Sequence, residues 1–156
     1  MTTKKSWQEK LKSSKGLPKV EKIKGKLSTR WGKGTVAIPA PIEVDALMKK
    51  VPKGKVTTIN EIRAAIARKH KATIGCPITC GIFAWISAHA AEEERSAGKS
   101  RITPWWRTLK TEGVLNEKYP GGVANQKKFL AKEGHKFISK GKKILLADFE
   151  KKLAKI

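Results

Sequence analysis

Val51-Pro52-Lys53-Gly54-Lys55-Val56-Thr57-Thr58-Ile59-Asn60-Glu61-Ile62 is the stretch that decides the fold. Pro52 and Gly54 stop any helix that reaches them. Val56 and Thr57 read as a short extended link. Thr58 and Glu61 form a Thr-x-x-Glu capping box, in which the hydroxyl accepts from the amide three residues on. Ile62, Ala65 and Ile66 follow at helical spacing, so an amphipathic helix is expected over about 59–70.

Working outward, Val44, Leu47, Met48 and Val51 fall at i, i+3, i+4 and i+7, one face of an earlier helix, and Pro39 and Pro41 suit its start. Downstream, Ala72, Thr73 and Gly75 make a connection, and Pro77 fits a first helical turn. Ile78, Ile82, Trp85, Ile86 and His89 share one face of a third helix. Two helices joined by a short Gly-containing connection form a helix-turn-helix. Ala90 to Ser100, with Glu92, Glu93 and Glu94, reads as a helix end and a solvated loop. Ile102 to Leu115 carries Trp105-Trp106 on a strand or turn. Val123, Gln126, Phe129 and Leu130 suggest a further helix stopped by Gly134. Lys136 to Leu146 reads as a basic hairpin turning at Lys140-Gly141-Lys142. Asp148 opens a short C-terminal helix with Phe149 and Leu153 facing inward. The expected fold class is mainly α: a winged-helix-like helix-turn-helix domain with a small β-hairpin, over residues 37–156.

Residues 1–36 are expected to be a flexible basic tail. Residues 1–35 hold 11 basic and 2 acidic residues, a net +9, with few apolar side chains to bury. Trp7 and Trp31 are exceptions, placed to dock on the domain or to stack on bases, with docking or plain solvent contact favoured. The whole chain of 156 residues carries 35 Lys and Arg against 13 acids, a net charge of +22. That excess favours polyanionic partners, nucleic acid first. No apolar run approaches the roughly 20 residues that span a bilayer, and no signal-peptide core follows the N-terminus. A cytoplasmic monomer is expected, nucleoid-associated if bacterial, with no membrane partner. Cys76 and Cys80, four apart, and the three histidines make no zinc spacing, so no metal and no cofactor are expected.

Several blocks, in order, resemble the C-terminal domain of the alkylguanine-DNA alkyltransferases and the alkyltransferase-like proteins. Val51 to Thr58 resembles that family's approach to its helix-turn-helix. Pro104-Trp105-Trp106-Arg107-Thr108 resembles the reactive motif Pro-Cys-His-Arg-Val. Tyr119-Pro120-Gly121-Gly122 resembles Tyr-Ser-Gly-Gly, and Glu133-Gly134-His135 resembles Glu-Gly-His. The resemblance covers about residues 38–150 and implies a domain whose second helix-turn-helix helix enters the minor groove and flips a damaged guanine into a pocket. It places Trp105 at the alkyl-accepting cysteine and Trp106 at the histidine that activates it. Arg107 matches the motif's arginine, Glu133 the glutamate that orients the histidine, and Tyr119 the pocket-loop tyrosine. The expected pocket is thus Trp105, Trp106, Arg107, Tyr119 and Glu133.

An indole is neither a thiolate nucleophile nor a base, so the resemblance implies no alkyl-transfer enzyme and no catalytic residue. In the alkyltransferase-like proteins a Trp also commonly replaces the cysteine, and those proteins bind the lesion and pass it to repair machinery. Around Thr79, Cys80 and Gly81 this chain lacks the family's space-filling arginine, and Ile59 lies near the family's phosphate-rotating tyrosine. Lys53, Lys55, Arg63, Thr79, Cys80, Gly81, Lys127 and Lys128 are the expected DNA contacts, with Arg68, Lys69, Lys71, Lys140, Lys142 and Lys143 as further candidates. The function expected is non-enzymatic binding of alkylated or distorted DNA, with repair proteins as partners. The alternative is a general nucleic-acid or RNA- and ribosome-associated binder. A third reading, an enzyme built on Glu133, His135 and Tyr119, requires those side chains to share a cavity.

Overall fold

The computed structural model describes residues 6–156, so the first five residues of the expected tail lie outside the described residues. In chain order the elements are α1 (Trp7–Lys12), β1 (Lys19–Lys22), α2 (Leu27–Trp31), β2 (Thr35–Ile38), α3 (Pro41–Lys49), β3 (Thr57–Thr58), α4 (Ile59–His70), β4 (Ile74–Gly75), α5 (Pro77–Ser96), β5 (Thr108–Leu109), α6 (Gly122–Lys132), β6 (Phe137–Lys140) and β7 (Lys143–Leu146). The fold is mixed α/β rather than mainly α. Three small sheets, β1-β2-β4, β3-β5 and β6-β7, tie the helices together.

The deciding stretch folds as its residues dictate. Thr58 is extended and its side chain accepts from the Glu61 amide at 3.4 Å, starting α4. Ile62 and Ile66 are fully buried, as are Val44 and Met48 of α3. At the α4–α5 turn, a Cβ on Gly75 would lie 2.3 Å from the Arg63 carbonyl oxygen, so only glycine lets the turn close this tightly. Cys76 caps α5: its Sγ accepts from the Thr79 amide at 3.5 Å, and Pro77 fills the first turn.

Three expectations are corrected. First, α5 runs unbroken to Ser96, so Glu92, Glu93 and Glu94 are helical rather than in a loop. Second, its Ile78-Ile82 face points outward: Ile78 is 57% exposed and Ile82 45%. The buried face is Cys80, Ala84, Ser87, Ala88 and Ala91, small side chains that allow close packing on α3. Periodicity located the two faces of the helix, and bulk was a poor guide to which one is inside.

Third, the N-terminal segment, expected to be a flexible tail, is built into the fold from Ser6 on. The Glu93 carboxylate accepts from the Trp7 and Gln8 amides at 3.0 and 2.9 Å, capping α1 against α5. Trp7 stacks on His89 at 4.4 Å and meets Trp85 edge-on at 4.8 Å, which is the docked arrangement. β1 pairs antiparallel with β2, and β2 pairs parallel with β4 (Val36 with Ile74, Ala37 with Gly75).

The β6-β7 hairpin forms with the expected turn, and Gly134 follows α6. The C-terminal helix is a single 3-10 turn, Phe149–Lys152, whose flanks zip onto Val56 through Val56 N–Lys152 O and Ala154 N–Val56 O, both 2.9 Å. Two apolar clusters result. One joins α3, α4, α5, Trp105 and Tyr119, and the other joins Val56, Leu109, Leu115, Leu130 and Leu146; Trp106 touches both.

Candidate nucleic-acid interface

Trp105, Trp106 and Arg107 form a 3-10 turn between α5 and β5. Trp105, expected to line a pocket, is 0% exposed. Its ring meets Trp106, Tyr119 and Phe129 edge-on at 5.8, 5.5 and 5.6 Å, and its Nε1 donates to Glu92 Oε1 at 3.1 Å. An indole fills this volume because its apolar surface gains from burial and its one donor finds an acceptor. Tyr119 is buried with it, and burial pushes its hydroxyl pKa well up. Neither side chain is placed to receive a ligand from solvent.

Trp106 stacks on Phe129 at 4.6 Å, and its Nε1 donates to Glu133 Oε2 at 2.9 Å. Arg107 donates from Nε and Nη2 to the same carboxylate at 3.0 and 2.8 Å, and from Nη1 to the Val51 carbonyl at 2.8 Å. The Gly54 amide adds a longer bond to Glu133 Oε1, 3.3 Å. Burial alone raises the Glu133 carboxyl pKa; the bonds from Arg107, Trp106 and Gly54 outweigh it and hold the group ionised below the usual carboxylate range. Trp106, Arg107 and Glu133 thus come together as one fork. It binds the α6 terminus to the 51–55 turn that carries Lys53 and Lys55. His135 is buried with its Nε2 unpartnered among the described residues and takes no part in the fork.

The other expected contacts divide. Thr79 and Gly81 sit on α5, partly accessible. Cys80 is 0% exposed; burial, reinforced by Cys76, pushes its thiol up to about 12, so it faces the core and touches no ligand. Arg63 is occupied locally, its Nε donating to the Gly75 carbonyl at 2.9 Å. Lys127 and Lys128 are exposed on α6, which packs behind the Trp turn. Glu92 and Glu93, acidic residues in a basic chain, serve the indole of Trp105 and the start of α1.

An open cleft lies elsewhere, along the outward face of α5. This cleft, of about 700 Å³, is walled by Ile59, Ile78, Gly81, Ile82 and Trp85 on one side and by residues 110–118 on the other, with Lys110, Lys118 and Lys143 at its edge. Sequence reasoning missed this cleft, although the bulky α5 stripe that walls it was the signal. It also missed Gln126, which is fully buried. Gln126 Oε1 accepts from the Asn116 amide at 2.7 Å, and its Nε2 donates to the Trp106 and Thr108 carbonyls, so it shapes the far wall.

The fold, a helix-turn-helix whose second helix lines a cleft, with a 3-10 Trp turn and a β-hairpin, resembles that of a known S. pombe protein. Two solved structures of the S. pombe protein share it: Atl1 in complex with damaged DNA containing O6-carboxymethylguanine, and S. pombe ATL in complex with DNA. Each superposes with a TM-score of 0.53 at 21% sequence identity, over 74% of this chain and 94% of the other. The likeness is one of fold. No protein-family model matches the chain, and no curated protein matches it in sequence. Among the described residues no helix is long and apolar enough to cross a membrane, and no group of three or more His, Cys, Asp or Glu side chains is disposed to hold a metal ion.

Proposed function

We propose that this chain is a non-enzymatic DNA-binding protein that docks α4 and α5 on duplex DNA and takes an unstacked or alkylated base into the α5 cleft. The observation that carries the reading is the pair of exposed isoleucines, Ile78 and Ile82, on the outward face of the second helix-turn-helix helix, at the wall of that cleft. Apolar wedges of this kind separate base steps in minor-groove binders, at a cost of a few kcal/mol per step that added protein contact offsets. Extruding a base also requires a place to put it, which the cleft supplies. The +22 charge supplies the sequence-independent attraction. Two features support a role without chemistry. The Trp105 position holds a buried indole, and the thiols of Cys76 and Cys80 are buried. Repair proteins are the partners such a lesion binder would serve.

The test is a fluorescence titration at two salt concentrations with matched duplexes carrying guanine or O6-methylguanine. Trp85 lines the cleft and reports its occupancy, whereas Trp105 is shielded. The expected result is salt-sensitive binding to both duplexes, tighter and more strongly quenched with the lesion, and loss of that preference in an Ile78→Ala, Ile82→Ala variant. Equal affinity and quenching for the two duplexes overturns base capture. Preference for RNA of the same length overturns the DNA reading in favour of an RNA-associated one.

A further inference from the structure

The segment between β1 and β2 is the part of the chain whose sequence the fold does not consume. All four β1 residues are exposed, α2 buries no residue, and Val20 and Leu27 are 44% and 40% exposed. Lys22, Lys24, Lys26, Arg30 and Lys33 project from it, and among the described residues none of these five is in an ion pair; the one acid, Glu21, pairs with Lys19 at 3.0 Å. Five like charges on one short segment repel each other, and among the described residues no ion pair offsets that cost.

The segment is nonetheless firmly mounted. Its base is closed by the bond from Ile23 N to Gly34 O, 2.9 Å. Thr35 and Thr73 then clasp each other: the Thr35 amide donates to Thr73 Oγ1 at 3.0 Å, and the Thr73 amide donates to Thr35 Oγ1 at 3.1 Å. Gly34, at φ +124°, makes the approach possible, since a Cβ there would lie within 2.2 Å of Thr73 Oγ1. Two residues on, the Cys76 amide, at the cap of α5, donates to the Ala37 carbonyl at 2.9 Å. The arm therefore grows directly from the helix-turn-helix turn, beside exposed Lys71 and the first residues of α5.

We propose that the β1–β2 arm is a second DNA-contacting element, which lays its five unpaired cations along the phosphodiester backbone of the duplex flanking the stretch held by α5. The inference rests on α4 and α5 being the DNA-docking unit. The occupant is a polyanion because the arm's charges outside ion pairs, among the described residues, are all cations. It is the same duplex because the clasp fixes the arm to the very turn that delivers α5.

The experiment compares the full chain with a Lys24→Gln, Lys26→Gln, Arg30→Gln, Lys33→Gln variant on duplexes of about one and about two and a half helical turns, each titrated across salt. The substituted side chains are on the unburied arm, and circular dichroism checks that the variant is folded. The wild-type chain is expected to bind the longer duplex more tightly. The variant is expected to bind the short duplex like wild type, to lose the gain on the long one, and to show a log–log salt slope there shallower by about 0.9 for each phosphate contact removed. A variant with the wild-type affinity and slope on the long duplex overturns the arm. If the wild type itself binds neither duplex, the docking of α4 and α5 fails first, and that outcome is distinct from failure of the arm alone.

Discussion

Replacing Glu133 by Ala should destabilise the protein severely. The carboxylate side chain is 7% exposed and its partner Arg107 14%. It accepts from Trp106 Nε1, from Nε and Nη2 of Arg107 and from the Gly54 amide. Removing it leaves the guanidinium with the Val51 carbonyl as its one acceptor among the described residues, and strands the indole and Gly54 donors as well. Breaking a buried pair on one side costs about 3–5 kcal/mol, because the remaining charge stays desolvated. At about 2–4 °C per kcal/mol for a chain of this size, the melting temperature falls by roughly 6–20 °C. Urea denaturation followed by circular dichroism measures the loss directly. A Glu133→Leu, Arg107→Met double variant should recover much of it, since both charges then leave the interior together. The reasoning is refuted if Glu133→Ala melts within about 2 °C of wild type. It is also refuted if the variant keeps its stability and loses only DNA affinity, which would make Glu133 a ligand-facing group.

Three further outcomes are expected. Trp105→Ala removes a fully buried ring that meets three other aromatic side chains and should cost about 3–5 kcal/mol in urea denaturation; a loss below about 1 kcal/mol would mean the ring does not fill the core. Cys76 and Cys80 are buried and the Cys80 thiol is pushed up to about 12, so both should resist a thiol reagent at pH 8 until denaturant is added; rapid labelling of the native chain contradicts this. Stability should fall on acidification: Glu43, which accepts from Lys69, the Ala40 amide and His70 against the upward push of burial, and Glu133 both have folded pKa values below their unfolded ones. The unfolded chain therefore binds more protons below the free carboxylate value of about 4.3, and stability drains as pH falls through the folded values. Burial also lowers His89 and His135, so the decline should begin near the free histidine value of about 6.5; a melting temperature flat from about pH 7 to 5 would contradict the histidine step, and one flat from about pH 5 to 3 the carboxylate step.

Local chemistry made much of this fold legible. The Thr58 cap, the Val44 and Met48 face of α3, the helix ended at Gly134 and the hairpin turn at Gly141 are each written within a few residues. What escaped reading depends on partners far along the chain. The N-terminal segment has few apolar residues, and its order comes from Glu93, more than 80 residues away, and from backbone pairing of β1 with β2 and of β2 with β4. The inversion of α5 escaped for a different reason. Both its faces repeat at helical spacing, and the buried one is built of Ala, Ser and Cys, so bulk pointed to the side that stays wet. At the candidate site Trp106, Arg107 and Glu133, which the alignment of blocks grouped, are hydrogen-bonded to one another. The alignment also suggested an open pocket at Trp105, where the side chain is itself the filling.

That filling bears on the evolutionary freedom of the chain. A single Trp105→Cys change would trade an indole for a far smaller group, leave a void among Tyr119, Phe129 and Trp106, leave the Glu92 carboxylate with Arg95 alone, and set the new thiol beside another indole instead of a base. No one-step path to alkyl transfer at this position keeps the protein folded and also gains chemistry. Repacking, hollowing and installation of a base would have to arrive together, so the buried indole acts as a ratchet against a reactive thiol at this position.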